Sequence, residues 1–485
     1  MIITAEEAFK ELNFGSVDAE SEEDLSQKFL KTEDFASFVS DGTNLILGPK
    51  GSGKSALFEL TTKSEYLARS WAPKELKNVL FVEATGFRDL SEIDTETIEE
   101  LKKNPDFGYP KLWELYFSIK LASKLCSSGI KTKGASSELL KQIGKTPDYR
   151  LLPLAKGLWE RLVGRVPKKI SIPIIGEIQV GSSIAKVSTT DILSDIDKEL
   201  GNKNLEAWLI FDKIDEIFPM SPDSRSEALA HLLQTSMECR KKYHRIKFKI
   251  FLRTDIWTHL RFTNKTHLLD KILELKWNPQ KLRALLIKRA TTNQAVRIYI
   301  EESLSIKIPD DIKELPADTQ ENIFNKIFEK QVYKGPKETD SLTWMTERAT
   351  DSLDGVYPRE MIMYGNTSKS CQTGPGSNAL IDGNSIRDSY YKVSKDRCEG
   401  YLSEFPEYSK HFEKFGGKTS ANFTRVELTE MFKELTPPAD QAILELSTNI
   451  GILKPQNKEH AATAEKFKIP RLYIHGLGIT TKGRP

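Results

Sequence analysis

Apolar residues along this chain fall into short runs separated by longer amphipathic stretches. The runs at 45–47, 79–82, 208–211, 248–252 and 272–275 have the length and aliphatic or aromatic content of buried strands. Between them lie helical patterns: 112–126, apolar on most sides, then 224–243, then 279–296 with Pro279 in its first turn. Strands alternating with helices predict a parallel α/β sheet. Residues 130–190 read as an insertion, within which 170–180 alternates with period two around Pro173 and Gly176, the pattern of a small hairpin. Beyond residue 300 the strands cease and helices continue to about 415, with 371–383, rich in Ser, Gly, Asn and Thr, predicted to be an exposed loop.

The last seventy residues change pattern again. A helix at 424–435 is followed by a second, opened by Pro437-Pro438. A strand starts at 451–453, a polar stretch turns near Lys466, and 467–469 with 472–474 returns. Helix, helix, strand, wing, strand is a winged-helix pattern. The expected organisation is an N-terminal arm (1–30), an α/β core (31–300) with its insertion, a helical lid (301–415) and a winged-helix-like α+β domain (416–485). No internal repeat is evident.

The first strand runs into Gly48-Pro-Lys-Gly51-Ser52-Gly53-Lys54-Ser55, a complete G-x-x-x-x-G-K-S loop, and Ala56 continues as helix. Strand, glycine loop and helix form the context a phosphate-binding loop needs. Glycines let backbone N–H groups turn inward around phosphate oxygens, and the helix N-terminus adds partial positive charge. Gly48, Gly51, Ser52, Gly53, Lys54, Ser55 and Ala56 are therefore the expected nucleotide-binding set. Lys54 would reach the β and γ phosphates, and the Ser55 hydroxyl would ligate Mg²⁺.

The run at 208–211 delivers Asp212 to a strand end, where a carboxylate can hold Mg²⁺ opposite Ser55. Asp215 and Glu216 follow and can orient an attacking water. Arg253, at the end of the next strand, is placed to sense a γ-phosphate; Thr254 or Asp255 also reads as an ordinary helix cap.

Composition sets outer bounds. The 485 residues carry 71 Lys and Arg against 69 Asp and Glu, a net charge of +2, so nucleic-acid contact would need a local patch. Four scattered cysteines without C-x-x-C spacing indicate neither zinc nor a disulfide framework. The start of the chain lacks the pattern of a signal peptide and no run has the length of a membrane span, so a cytoplasmic protein is expected. The histidines show no H-E-x-x-H spacing, and neither a serine nucleophile elbow nor an L-S-G-G-Q motif is present. The visible chemistry is phosphate chemistry. Adenine is expected over guanine because no N/T-K-x-D motif occurs.

Taken together, the chain resembles the AAA+/STAND group of prokaryotic P-loop ATPases, including its origin-recognition-like members. It is especially similar to a standalone family that opens with an F-G-x-x-x-A-E-x-E box, here Phe14-Gly15-Ser16-Val17-Asp18-Ala19-Glu20-Ser21-Glu22. The order P-loop, D-x-x-D-E, L-R-T-D, W-N-P-x-x-L and P-R-E extends the resemblance over roughly 12–365. The closing Ile469-Pro470-Arg471-Leu472-Tyr473 also resembles that family. Most AAA+ enzymes place a catalytic Glu directly after the metal-associated Asp. Lys213 stands there, so the resemblance implies the later Asp215, backed by Glu216, and slow or conditional turnover. It also implies Arg253 as a phosphate sensor, Arg359 of Gly-Val-Tyr-Pro-Arg as a lid arginine, and Arg261 as a candidate finger toward a neighbouring subunit, with Arg283 and Arg289 also in range.

The implied function is an ATP-driven, oligomerising conformational switch with Mg²⁺ that regulates a partner or effector, with anti-phage defence as one setting. The alternative is a DNA-binding ATPase of initiator or loader type. The C-terminal cations Lys454, Lys458, Lys466, Lys468, Arg471, Lys482 and Arg484 suit DNA, but Glu430, Glu434, Asp440, Glu445, Glu459 and Glu465 dilute them. A switch or protein contact is the favoured reading of that domain, with DNA contact the other. The acidic first thirty residues read either as an arm across the nucleotide pocket or as a solvated helix.

Overall fold

The computed structural model describes residues 3–85, 108–143, 188–214, 222–448 and 450–481. The expected hairpin at 170–180, together with Asp215, Glu216, Lys482 and Arg484, lies outside the described residues. The chain packs as two units, one of residues 33–49 and 57–275, the other of 1–32, 50–56 and 276–485.

The first unit is built on a parallel sheet of β1 (Leu45–Leu47), β2 (Val79–Thr85), β3 (Glu206–Asp212), β4 (Ile246–Leu252) and β5 (Ile272–Glu274), in the order β2-β3-β4-β1-β5. In β3 every residue from Ala207 to Asp212 is buried, because helices and an N-terminal segment cover both faces. On one face Phe211 and Phe248 meet Phe117 of the helix Tyr109–Ser127, with ring centroids 5.8 and 4.9 Å away. On the other, Trp208 and Phe251 pack on Phe38 of the helix Glu33–Val39. The alternation of side chains along a strand makes this two-sided core possible.

Lys249 departs from the sequence pattern. In a run reading Ile-Lys-Phe-Lys-Ile it resembles a solvent-facing residue, yet it is 1% exposed. Its ammonium donates to the carbonyls of Phe38, Ser40 and Thr43 at 2.6, 2.7 and 2.8 Å and lies over the Trp208 ring. Burial pulls its pKa down to about 7. Only the charged form has a proton for each of the three carbonyls, and those bonds work against that pull. Lys249 thereby staples the turn that leads into β1.

α1 (Lys54–Thr62) continues from the glycine loop, burying Leu57, Phe58 and Leu60. The second unit is mainly helical. After the N-terminal helices Ala5–Glu11 and Leu25–Lys28, its helix α2 runs Pro279–Thr291, with the Asn278 side chain accepting from the Lys281 N–H. The expected helix to residue 296 is broken here: Asn293 caps a new helix, Gln294–Leu304, by accepting from Ala295 and Val296. α3 (Pro358–Ser370) and α4 (Gly383–Glu404) complete the lid. The segment 371–383 is a loop only in part exposed, since Ala379, Leu380 and Ile381 are buried and Ile381 bridges to Phe328.

The C-terminal segment is a winged-helix-like α+β domain. β6 (Asn422–Thr424), α5 (Arg425–Phe432), α6 (Ala439–Thr448), β7 (Lys454–Pro455) and β8 (Lys466–Lys468) form two helices against a sheet of order β6-β8-β7, antiparallel throughout. The third strand is β6, not 472–474, which are part of the short helix Arg471–Ile474. Pro470 directly before it cannot donate to a ladder and suits a helix start. The domain docks on α4, where Gly476 donates to the Ser394 hydroxyl at 2.9 Å. A side chain there would begin 2.3 Å from the Ser394 carbonyl.

Among the described residues no helix is long and apolar enough to cross a membrane. Cys126, Cys239, Cys371 and Cys398 are free thiols.

Candidate functional site

The glycine loop has the backbone its motif calls for. Gly51 and Gly53 sit at φ +88° and +96°, in the left-handed region that side chains disfavour. Ser52 between them is 1% exposed. Gly48, the motif's first residue, donates to the Leu252 carbonyl at the end of β4, which fixes where the loop departs from the sheet.

Three side chains of the second unit are fastened to this loop. The stem of Arg359 lies on Gly51: a Cβ there would meet the arginine Cβ at 2.8 Å. Pro358 occupies the first turn of α3 and sets where Arg359 emerges. The indole N–H of Trp277 donates to the Ser52 carbonyl at 2.8 Å, and its ring edge passes 3.9 Å from where a Gly53 Cβ would start. Lys50 pairs with Glu404, at the C-terminus of α4, at 2.6 Å. Val17, Asp18, Lys50, Arg359, Met363 and Glu404 line a cleft of about 350 Å³.

The Arg359 guanidinium is turned to Asp18 at 3.0 Å. Asp18 lies in the 14–22 segment, several residues of which are held in place by the rest of the second unit. Phe14 is fully buried, stacks on Phe328 and lies against Gly365, where a Cβ would meet its ring at 2.7 Å. The Asn366 side chain accepts from the Phe14 N–H and donates to the Gly15 carbonyl. Glu22, buried, accepts from the Ser16 N–H and from Lys28 and Arg289. Arg289 also donates to the carbonyls of Phe14 and Ser16. An arginine so committed, 6% exposed, is not a finger. The arm is neither a solvated helix nor loose; it is clamped to the lid and carries Asp18 to Arg359.

Behind Arg359, Glu360 is 1% exposed and faces Arg397 of α4 at 3.3 Å. The turn leading into α3 is organised by Asp351, which accepts from the N–H groups of Leu353 and Gly355. Burial pushes its carboxyl up to about 6.

In the sheet unit, Asp212 ends β3 and is 5% exposed, and Lys213 after it sits at φ +55°. For a lysine this is an uncommon backbone state, of the kind that collects at functional positions. Arg253 directly follows β4 and forms a two-pronged ion pair with Asp255, at 3.1 and 2.7 Å. Neither Thr254 nor Asp255 is the cap of the helix Thr254–His259; the capping position is Arg253 itself, without a side-chain cap. Arg261 is exposed and donates to the Thr258 carbonyl.

Trp277, Glu404, Asp18 and Lys50 carried no assigned role in the sequence. The W-N-P run and the acidic box marked the first and third as unusual, but their partners are hundreds of residues distant. The loop fits a phosphate cradle: its two glycines at positive φ let successive N–H groups turn inward. Gly51, Ser52, Gly53, Lys54, Ser55 and Ala56 would hold the phosphates. Among the described residues no cluster of three or more His, Cys, Asp or Glu is arranged to hold a metal.

No family model matches the chain, and no curated protein matches it. Among solved structures, it is similar to the Walker-type ATPase PABY2304 of Pyrococcus abyssi (13% identity, 94% of this chain and 95% of that one, TM-score 0.41). It is also similar to the Aeropyrum pernix ORC1 protein in complex with DNA (12% identity, 94% of each chain, TM-score 0.37). A third similarity is to the Aeropyrum pernix ORC2 protein (13% identity, 94% and 91%, TM-score 0.37).

Proposed function

We propose that this protein is an ATP-binding and slowly hydrolysing P-loop ATPase of AAA+/STAND type that works as a nucleotide-dependent conformational switch. The observation that carries the reading is the position of Arg359: its stem rests on Gly51 of the glycine loop and its guanidinium is held by a carboxylate of the N-terminal arm. A lid arginine so placed can exchange Asp18 for a phosphate oxygen. Because α3 is tied to α4 through Glu360 and Arg397, and α4 carries the C-terminal domain, that exchange has a route to the far end of the lid.

In this reading the loop N–H groups and Lys54 bind the phosphates, and Arg253 and Arg359 sense the γ-phosphate. Asp215, backed by Glu216, takes a proton from the attacking water. Ser55 and Asp212 are the residues the motif supplies for Mg²⁺, which when bound neutralises charge on the phosphate oxygens. Arg261, exposed, is available to a second copy of the chain.

The test is steady-state ATP hydrolysis by the purified chain beside Lys54→Ala. The reading expects slow turnover that the substitution abolishes together with ATP binding. Turnover unchanged in Lys54→Ala would refute it.

A further inference from the structure

We infer that Trp277 is a positioning residue for phosphate binding, acting by locking the orientation of the Ser52–Gly53 peptide. The inference rests on the nucleotide reading above and adds to it a residue outside the P-loop and outside the sensor arginines.

The carbonyl of Ser52 and the N–H of Gly53 belong to the same planar trans peptide, so they point in opposite directions. Whichever way the carbonyl is held, the N–H is aimed the other way. Trp277 Nε1 donates to that carbonyl at 2.8 Å. The Gly53 N–H is therefore aimed away from the indole.

A lock is needed here more than elsewhere. Gly53 has φ +96° and Gly51 has φ +88°, so residues without a Cβ flank Ser52 on both sides. Little steric resistance opposes rotation of the intervening peptide planes. A flipped Ser52–Gly53 peptide would turn a carbonyl dipole toward phosphate oxygens and withdraw a donor. The Ser52 side chain offers no restraint in its place, since its buried hydroxyl has no hydrogen-bond partner among the described residues.

Trp277 is itself held firmly. Two residues earlier, Leu275 donates to the Leu47 carbonyl at 2.8 Å. One residue later, Asn278 caps α2. The indole is half-buried and its ring edge runs along Gly53. The bond to Ser52 joins residues 225 positions apart.

The experiment measures equilibrium binding of ATP and of inorganic pyrophosphate to the full chain, for wild type, Trp277→Phe and Lys54→Ala, with thermal unfolding alongside. Phenylalanine keeps a ring and removes the donor. Loss of one hydrogen bond is expected to weaken both ligands about 3- to 30-fold and in the same ratio, because the lock serves the phosphates and not the base. As a readout that folding alone would not move, the wild-type chain is labelled with 5-fluorotryptophan, and the Trp277 resonance is assigned by its disappearance in Trp277→Phe. Pyrophosphate is expected to shift that resonance. Wild-type affinity in Trp277→Phe while Lys54→Ala loses binding, or a Trp277 resonance unmoved by saturating pyrophosphate, would overturn the inference. ATP binding intact in Lys54→Ala would instead remove the nucleotide reading beneath it.

Discussion

Asp18 holds the guanidinium of Arg359 at 3.0 Å, although the two residues are 341 positions apart in the chain. The carboxylate is largely exposed, so the bond is a weak one that a polyphosphate can displace. The pair makes the N-terminal arm a competitor for the arginine that the proposed switch uses.

Asp18→Asn removes that competition while keeping the side-chain shape. ATP is expected to bind up to about fivefold more tightly, the range open to an exposed ion pair, with ADP affinity unchanged. Titration of both nucleotides against the variant checks this. Weakened ATP binding would mean that Asp18 orients Arg359 and does not restrain it.

Gly51→Ala places a Cβ 2.8 Å from the Arg359 Cβ and forces an L-residue to φ +88°. Backbone strain alone costs on the order of 1–3 kcal/mol, and the contact adds to it. A clear drop in melting temperature and at least a tenfold loss of ATP affinity are expected. Gly53→Ala is the comparison: among the described residues its Cβ would meet nothing nearer than Trp277 at 3.9 Å, so it carries the strain without the clash.

Asp351 gives the lid a pH signature. Its carboxyl titrates near pH 6 in the folded chain against an ordinary 3.8, so the folded state holds that proton more tightly than the unfolded chain does. Its contribution to stability is therefore greatest below about pH 4, falls as pH rises toward 6, and is level above that. Asp351→Asn keeps an acceptor for the Leu353 and Gly355 N–H groups without the charge. It is expected to be more stable than wild type by on the order of 3 kcal/mol at pH 7, with the difference vanishing near pH 4 in denaturant titrations.

What could be read in the sequence was what local patterns encode. Five strands, the glycine loop and its helix follow from runs of a few residues with strong backbone preferences, and the structure places them accordingly. Long-range pairing was invisible. Nothing local marks Lys249 for burial as a cation, because strand alternation cannot register three carbonyls converging from a segment two hundred residues earlier. Arg289 looked like one surface arginine among many until Glu22 closed on it from the arm. The break at Asn293 was hidden by continuous helical hydrophobicity, and only the cap geometry shows it. Residues 472–474 read as strand from their apolar content, whereas Pro470 before them starts a helix.

The central claim is that Arg359 reads the γ-phosphate. The most direct measurement compares ATP and ADP affinities in wild type and in Arg359→Ala. Wild type is expected to prefer ATP, and the substitution is expected to bring the ATP-to-ADP ratio close to one while leaving ADP affinity unchanged. A ratio that survives in Arg359→Ala would contradict the account.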